Sequence, residues 1–323
     1  MLTRKEFHVF NTLVVPLDGS ELAERALPYA VRLAKERGGR LVLVRAAIAP
    51  PPSGLDWERQ QLDSLEKATA YLASVAEKVA TRVPVTTAPL YGHAPAQILT
   101  AVEQFDADSI VMATHGRTGL SHLLHGSVAE AALTHSPVPV FVVYARPGEA
   151  AAPPFDSASA RIMVPLDGSA FAETALTAAL EIVGAAGELV LSSVAAAPDH
   201  VERDDQGRVR AYLDQQEESS RRETLDYLRQ VEAQLKQQRP DLRVILDVRI
   251  GDPAPGIVMA EIERDADLVV MATHGRTGIR RAVLGSVAGA VLKTGSVPVL
   301  LVSPAASAVS AQQPSSRSMV ANG

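Results

Sequence analysis

The chain has 323 residues, 47% hydrophobic and 21% charged, which at roughly 150 residues per domain is two globular domains rather than a disordered chain. A net charge of −6 with only 4% aromatic residues argues against nucleic-acid binding, which draws on excess Lys and Arg and on stacking platforms, and the lack of cysteine excludes disulfides, thiolate metal sites and cysteine nucleophiles. No apolar run approaches the roughly 18 residues of a membrane span and the first residues show no secretory pattern, so the expectation is a soluble cytoplasmic protein.

The first predicted element is the apolar strand Thr12–Pro16. Ser20 then reads as an N-cap for a helix patterned by Leu22, Ala26, Tyr29, Ala30 and Leu33, which stops at Gly38-Gly39. Leu41–Val44 is a second buried-type strand, and Leu65, Ala68, Leu72, Val75 and Val79 recur at helical spacing. A third strand, Val83–Tyr91, precedes a helix over Ala94–Phe105. A fourth, Ser109–Met112, is followed by the helix Ser127–His135 and the closing strand Val138–Val143. Strands alternating with helices call for a parallel sheet with right-handed crossovers and helices on both faces. Pro139 and Pro298 each remove a ladder donor, which predicts that the last strand lies at a sheet edge.

The pattern occurs twice. Val15-Pro-Leu-Asp-Gly-Ser20 recurs as Val164–Ser169 at an offset of 149, and Met112–Gly119 recurs as Met271–Gly278 at 159, as does Gly126–Ala129 as Gly285–Ala288. One unit has been duplicated, with a net insertion of ten residues in the second copy, expected around Asp199 to Val209. The expected organisation is a first domain over 8–146, an Ala/Pro/Gly/Ser linker over 147–159, a second domain over 160–304 and a disordered Ser/Ala/Gln tail over 305–323.

Ligands of such sheets bind beyond the carboxyl ends of the strands, where strand order reverses. Asp18-Gly-Ser20 follows the first strand there, and Ala113–Gly119 follows the fourth and leads to Gly126-Ser127 at a helix start. Glycines admit close backbone approach and a helix N-terminus presents free N–H donors, so the local physics suggests a phosphate cradle, with Arg117 and Arg276 suited to bidentate contact. Two blander readings stand beside it. Ser127 and Glu130 match a capping box, and Asp18 suits a helix cap. His115 and His274 read as polar loop residues, and His122 and His125 lack the partners of a metal site. Walker, dinucleotide, serine-hydrolase and zincin signatures are all absent, and no catalytic constellation is left.

Taken together, Val-Pro-Leu-Asp-Gly-Ser, Met-Ala-Thr-His-Gly-Arg, nine residues from Gly116 to Gly126, Gly-Ser-Val-Ala and a Pro-Val-Pro-Val strand resemble the universal stress protein family in a tandem two-domain form. The family's nucleotide-binding branch carries G-x-x-G, nine residues and G-[ST]. Gly116, Gly126 and Ser127 fit, as do Gly275, Gly285 and Ser286, but Ala113 and Ala272 replace the leading glycine. Ala is strained there if the position needs positive φ and tolerated if it is extended.

The resemblance implies an α/β fold of two open, parallel five-stranded sheets of order 3-2-1-4-5 with helices on both faces, like the adenine nucleotide alpha hydrolases, packed as an internal pseudo-dimer through the fifth strands. It also implies binding of ATP, ADP or AMP. Pro16, Asp18 and Ala46 would face adenosine, while Met112, Ala113, Gly116, Gly126, Ser127 and Val128 would line ribose and phosphates, with Arg117 beside them. The second-half counterparts are Pro165, Asp167, Val194, Met271, Ala272, Gly275, Arg276, Gly285, Ser286 and Val287. No metal site is formed by the protein alone, so any Mg2+ would enter with the nucleotide. The expected role is a stress-response protein that senses or buffers nucleotide with at most slow ATP hydrolysis. The rival reading is a ligand-free interaction module acting through dimerisation and a protein partner, and a further homodimer is left open. Arg276, Arg280 and Arg281 against Arg117 alone predict tighter triphosphate binding in the second half.

Overall fold

A computed structural model describes residues 9–47, 57–115, 127–145, 154–198, 202–203, 209–273 and 284–303. In chain order the first half contains β1 (Thr12–Pro16), α1 (Glu21–Glu24), α2 (Leu27–Arg37), β2 (Arg40–Ala47), α3 (Trp57–Val79), β3 (Val85–Tyr91), α4 (Ala94–Gln104), β4 (Ser109–His115), α5 (Ser127–His135) and β5 (Val140–Ala145). The second contains β6 (Arg161–Pro165), α6 (Ala170–Ile182), β7 (Glu188–Ala195), β8 (Glu202–Arg203), β9 (Val209–Ala211), α7 (Leu213–Gln238), β10 (Arg243–Ile250), α8 (Pro253–Glu263), β11 (Leu268–Ala272), α9 (Ser286–Thr294) and β12 (Val299–Val302).

Within each half the strands are parallel in the expected order 3-2-1-4-5, as β3-β2-β1-β4-β5 and β10-β7-β6-β11-β12. The two expected sheets are, however, one: β5 and β12 pair antiparallel, with Val142, Phe141 and Val140 opposite Val299, Leu300 and Leu301, giving a continuous ten-stranded sheet. The fifth strands therefore lie at its centre, which corrects the edge expectation. Pro139 and Pro298 sit just before the strands, where each uses only its carbonyl, accepting from Ile110 N–H and Val269 N–H at 3.0 Å; their missing N–H never enters the ladder.

Strand side chains alternate between two apolar layers. Leu13, Val15, Leu41 and Leu43 face one layer, with α1, α2, α3, α6 and α7, and Val14, Val42 and Val44 face the other, with α4, α5, α8 and α9. The single helix expected after Ser20 is split in the first half, because Pro28 lacks the N–H that a continuous helix would bond to Glu24; α1 ends at Glu24 and α2 starts afresh with Pro28 in its first turn. Its counterpart Thr177 donates normally, so α6 runs unbroken. The ten extra residues of the second half are not all in the connection after β7. That connection holds the β8–β9 hairpin, and α7 is also longer than α3, with 26 residues against 23. The tail beyond 303 lies outside the described residues.

At the seam Phe141 is fully buried, with ring centroids of Tyr29, Phe10 and Phe155 at 6.0, 6.1 and 6.3 Å. Phe155, which precedes β6, lies against Phe141 of β5 and the apolar layer shared by both halves, so this cluster backs the strand pairing. Phe141→Ala is expected to cost about 3–4 kcal/mol of unfolding free energy. Urea unfolding followed by circular dichroism measures it.

Candidate functional site

Near their amino ends, β1 and β4 share only two register pairs, Leu13 with Ser109 and Val14 with Ile110, although β1 pairs with β2 over its whole length. Likewise β6 meets β11 only at Ile162 with Leu268 and Met163 with Val269. Beyond these pairs the ladder is lost and the strands part. After the terminal proline the chain stays with the other neighbour, as Leu17 N–H donates to Val44 O and Leu166 N–H to Ser192 O, both at 2.8 Å. A crevice opens at the carboxyl ends in each half.

The first side of the crevice is built around a turn and a cap. Gly19 and Gly168 have φ of +93° and +82°, values that favour glycine. Next to them Ser20 and Ser169 cap α1 and α6, each accepting from a backbone N–H at 3.1 Å. Asp18 Oδ1 accepts from Ser20 N–H at 2.8 Å and Oγ–H at 2.6 Å, and Asp167 Oδ1 does the same with Ser169 at 3.0 and 2.6 Å. The aspartates are thus not the caps themselves; they hold the capping serines in place.

In the second half Asp167 and Gly168 line a cleft of about 720 Å³, within the range of small-molecule sites. Pro165 and Asp167 form one side, Val194 the end of β7, Met271 and Ala272 the floor from β11, and Gly285, Ser286 and Val287 the start of α9 opposite. Gly275 and Arg276 lie outside the described residues, as do Gly116, Arg117 and Gly126 of the first half. Pro16, Asp18, Ala46, Met112 and Ala113 occupy the matching strand ends there, and α5 begins at Ser127 and Val128.

Ala113 and Ala272 are extended strand residues, paired with Val143 and Val302, so the leading position does not need glycine. Gly285 is also extended, with φ −57° and ψ 147°, and its N–H already donates to Thr273 O at 2.8 Å. The first helical bond runs from Gly289 N–H to Gly285 O at 2.8 Å, and among the described residues no side chain caps the helix, so Ser286, Val287 and Ala288, which line the cleft, have no N–H bond within the helix.

The far wall was missed by motif reading. Ser220, Glu223, Thr224 and Tyr227 of α7 line it, with Ser193 from β7, while Ser192 and, from the layer of α8, Ile257 complete the lining. Tyr227 donates to Glu173 at 3.0 Å, and burial, reinforced by that carboxylate, pushes its phenol well above the ordinary tyrosine value, so it stays a donor. Tyr71 donates to Glu24 at 2.9 Å in the first half. Recurrence of both Tyr-Leu and the Glu four residues after the capping serine was the available signal. Among the described residues no group of three His, Asp or Glu converges as a metal site.

Behind the cleft Ser192 Oγ donates to Asp247 at 3.2 Å, and the buried Asp247 is held by Arg249 Nε at 2.8 Å and Arg264 Nε at 2.9 Å. Burial alone would raise its pKa, but the hydrogen bonds and charges of the two arginines outweigh that and hold it below the ordinary carboxylate value. A depressed folded value contributes stability above the unfolded pKa of about 4 that is lost as pH falls through the folded one. Asp247→Asn is expected to flatten that acid limb and to cost about 2 kcal/mol near neutrality, read from urea unfolding between pH 2 and 7.

The sequence profile of the universal stress protein family matches residues 10–144 and 159–303. A universal stress protein of Mycobacterium tuberculosis is 28% identical over 297 residues, 90% of this chain and 96% of its own length. One from Methanocaldococcus jannaschii is 32% identical over 148 residues, 44% of this chain and 86% of its own. The crystal structure of a universal stress protein from Archaeoglobus fulgidus superposes with a TM-score of 0.68 at 23% identity, covering 90% of this chain and 97% of that one, and so shares the fold.

Proposed function

The chain belongs to the universal stress protein family, and we propose that it binds an adenine nucleotide, ATP, ADP or AMP, at the carboxyl-end crevice and acts in the stress response by sensing or buffering it. The observation that carries this reading is the second-half cleft. Its α9 N-terminus offers uncapped N–H donors to an anion, while Pro165, Val194 and the α7 wall offer apolar and stacking surface at the opposite side for a base. Phosphates belong at the helix start and adenosine against β6, β7 and α7. Asp167 adds a fixed acceptor in reach of the ribose or base, and Tyr227, whose O–H is given to Glu173, adds its ring to the wall.

Mg2+ would enter with the nucleotide, coordinated through phosphate oxygens. The rival reading, an empty module that dimerises through its final strands, loses its edge here: β5 and β12 are spent on each other. No helix among the described residues is long and apolar enough to cross a membrane.

Isothermal titration of the full chain with ATP is expected to show saturable binding that Gly285→Val weakens at least tenfold while the far-ultraviolet circular dichroism is unchanged. The backbone dihedrals at Gly285 are ones valine adopts, so backbone strain does not account for the loss, which comes from the side chain intruding where phosphate approaches. Unaltered affinity overturns the phosphate cradle.

Turnover is the companion measurement. The cleft presents positioning groups, but its carboxylates are engaged: Asp167 accepts from Ser169 and Glu223 from Ser219. ATP hydrolysis is expected well below the roughly 1–100 s⁻¹ of kinases, as a coupled phosphate-release assay would read. A rate inside that range would assign one of these carboxylates as a base.

A further inference from the structure

We infer that the two crevices are not equivalent, and that Arg45 decides the difference: its guanidinium fills in the first half the space that the second half keeps open, so the chain takes one adenine nucleotide rather than two. This rests on the nucleotide reading above and adds to it which half binds and why.

The halves correspond residue by residue at the end of the second strand. Leu43-Val44-Arg45-Ala46 of β2 stands where Leu191-Ser192-Ser193-Val194 of β7 stands. Arg45 and Ser193 share the face covered by α3 and α7, since side chains alternate and Leu43 and Leu191 lie in that layer. Their surroundings match as well. Tyr71 and Tyr227 occupy the same helical position and donate to corresponding glutamates, Glu24 of α1 at 2.9 Å and Glu173 of α6 at 3.0 Å. The strand end differs at Val44, Arg45 and Ala46 against Ser192, Ser193 and Val194, and α3 carries Lys67 and Ala68 where α7 carries Glu223 and Thr224; among the strand-end residues Arg45 is the largest and the only charged one.

Its placement is specific. The Arg45 guanidinium carbon lies 4.5 Å from the centre of the Tyr71 ring, a cation–π stack, whereas Tyr227 lines the open cleft. It also lies against the turn at Gly19, where a Cβ would come within 3.0 Å of both terminal nitrogens. At the corresponding Gly168 a Cβ would meet nothing within 4 Å. The arginine thus spans the gap from the α3 tyrosine to the β1 turn, across the place assigned to adenosine. The electrostatic surroundings of Tyr71 include Glu24, Arg45 and Asp18, and Glu24 has Lys78 as its own cation at 3.6 Å. A neutral purine entering there must displace a planar cation from its stack on Tyr71. In the second half Ser193 asks for no such exchange.

Calorimetric titration of ATP into the native chain, Arg45→Ser and Ser193→Arg tests this. The native chain is expected to bind one ATP, Arg45→Ser two, and Ser193→Arg to lose at least tenfold in affinity at the native site, each with an unchanged circular dichroism spectrum. Two sites of equal affinity in the native chain, no gained site in Arg45→Ser, or no loss in Ser193→Arg overturns the assignment of Arg45 while leaving nucleotide binding intact. No binding by the native chain and by Arg45→Ser overturns the nucleotide reading itself.

Discussion

The early parting of the first and fourth strands is the constraint on which the site depends. Parallel strands in the middle of a sheet ordinarily pair along their length, but β1 and β4 keep two register pairs, and so do β6 and β11. The cause is topological. The chain leaves β1 towards the face of α1 and α2, and leaves β4 towards the opposite face, where α5 packs, so no connection bridges the gap between them. Asp108 fixes the other end. It accepts the N–H groups of Phe10, Asn11 and Thr12 at 2.8, 2.8 and 3.2 Å, tying the entry of β1 to the base of β4, and Asp267 accepts from Arg161 N–H at 2.8 Å in the same way. Clamped at one end and released at the other, the strand pair becomes a crevice.

A second constraint joins two such units. Pairing β5 with β12 satisfies the backbone of both fifth strands and leaves the outer edges of the sheet to β3 and β10. Phe141, Phe10, Tyr29 and Phe155 bury the seam, and Tyr144 reaches across to Val291 O at 3.3 Å while Ser303 returns to Ser136 O at 2.9 Å. Both crevices are thereby carried on one rigid sheet.

Duplication then allowed the halves to diverge without disturbing that frame. At the outer edge Ala88, Leu90 and Phe105 form an apolar cluster in the first half, whereas Asp247, Arg249 and Arg264 form an ion-paired one in the second. At the crevice Arg45 and Ser193 diverge likewise. Such exchanges are tolerated because each replaces a whole set of partners: a carboxylate alone among Leu90 and Phe105 would be an uncompensated buried charge.

The sequence by itself determined the repeat, the alternation of strands and helices, the family and the strand ends that converge, because Val-Pro-Leu-Asp-Gly-Ser and Gly-Ser-Val-Ala are local signals, and turns, caps and periodicity act over a few residues. It also held the alternatives for Ala113 and Asp18, but their choice needed backbone pairing: Ala113 is extended because it pairs with Val143, and Asp18 holds Ser20 rather than capping the helix. Only tertiary structure decided that Pro139 and Pro298 precede central strands, since whether a missing N–H matters depends on which neighbour the ladder presents. The α7 wall and the Tyr71–Arg45 stack were beyond local reading for the same reason. Residues from separate elements meet there, and their encounter is fixed by the packing of α3 and α7 on the sheet rather than by any spacing along the chain.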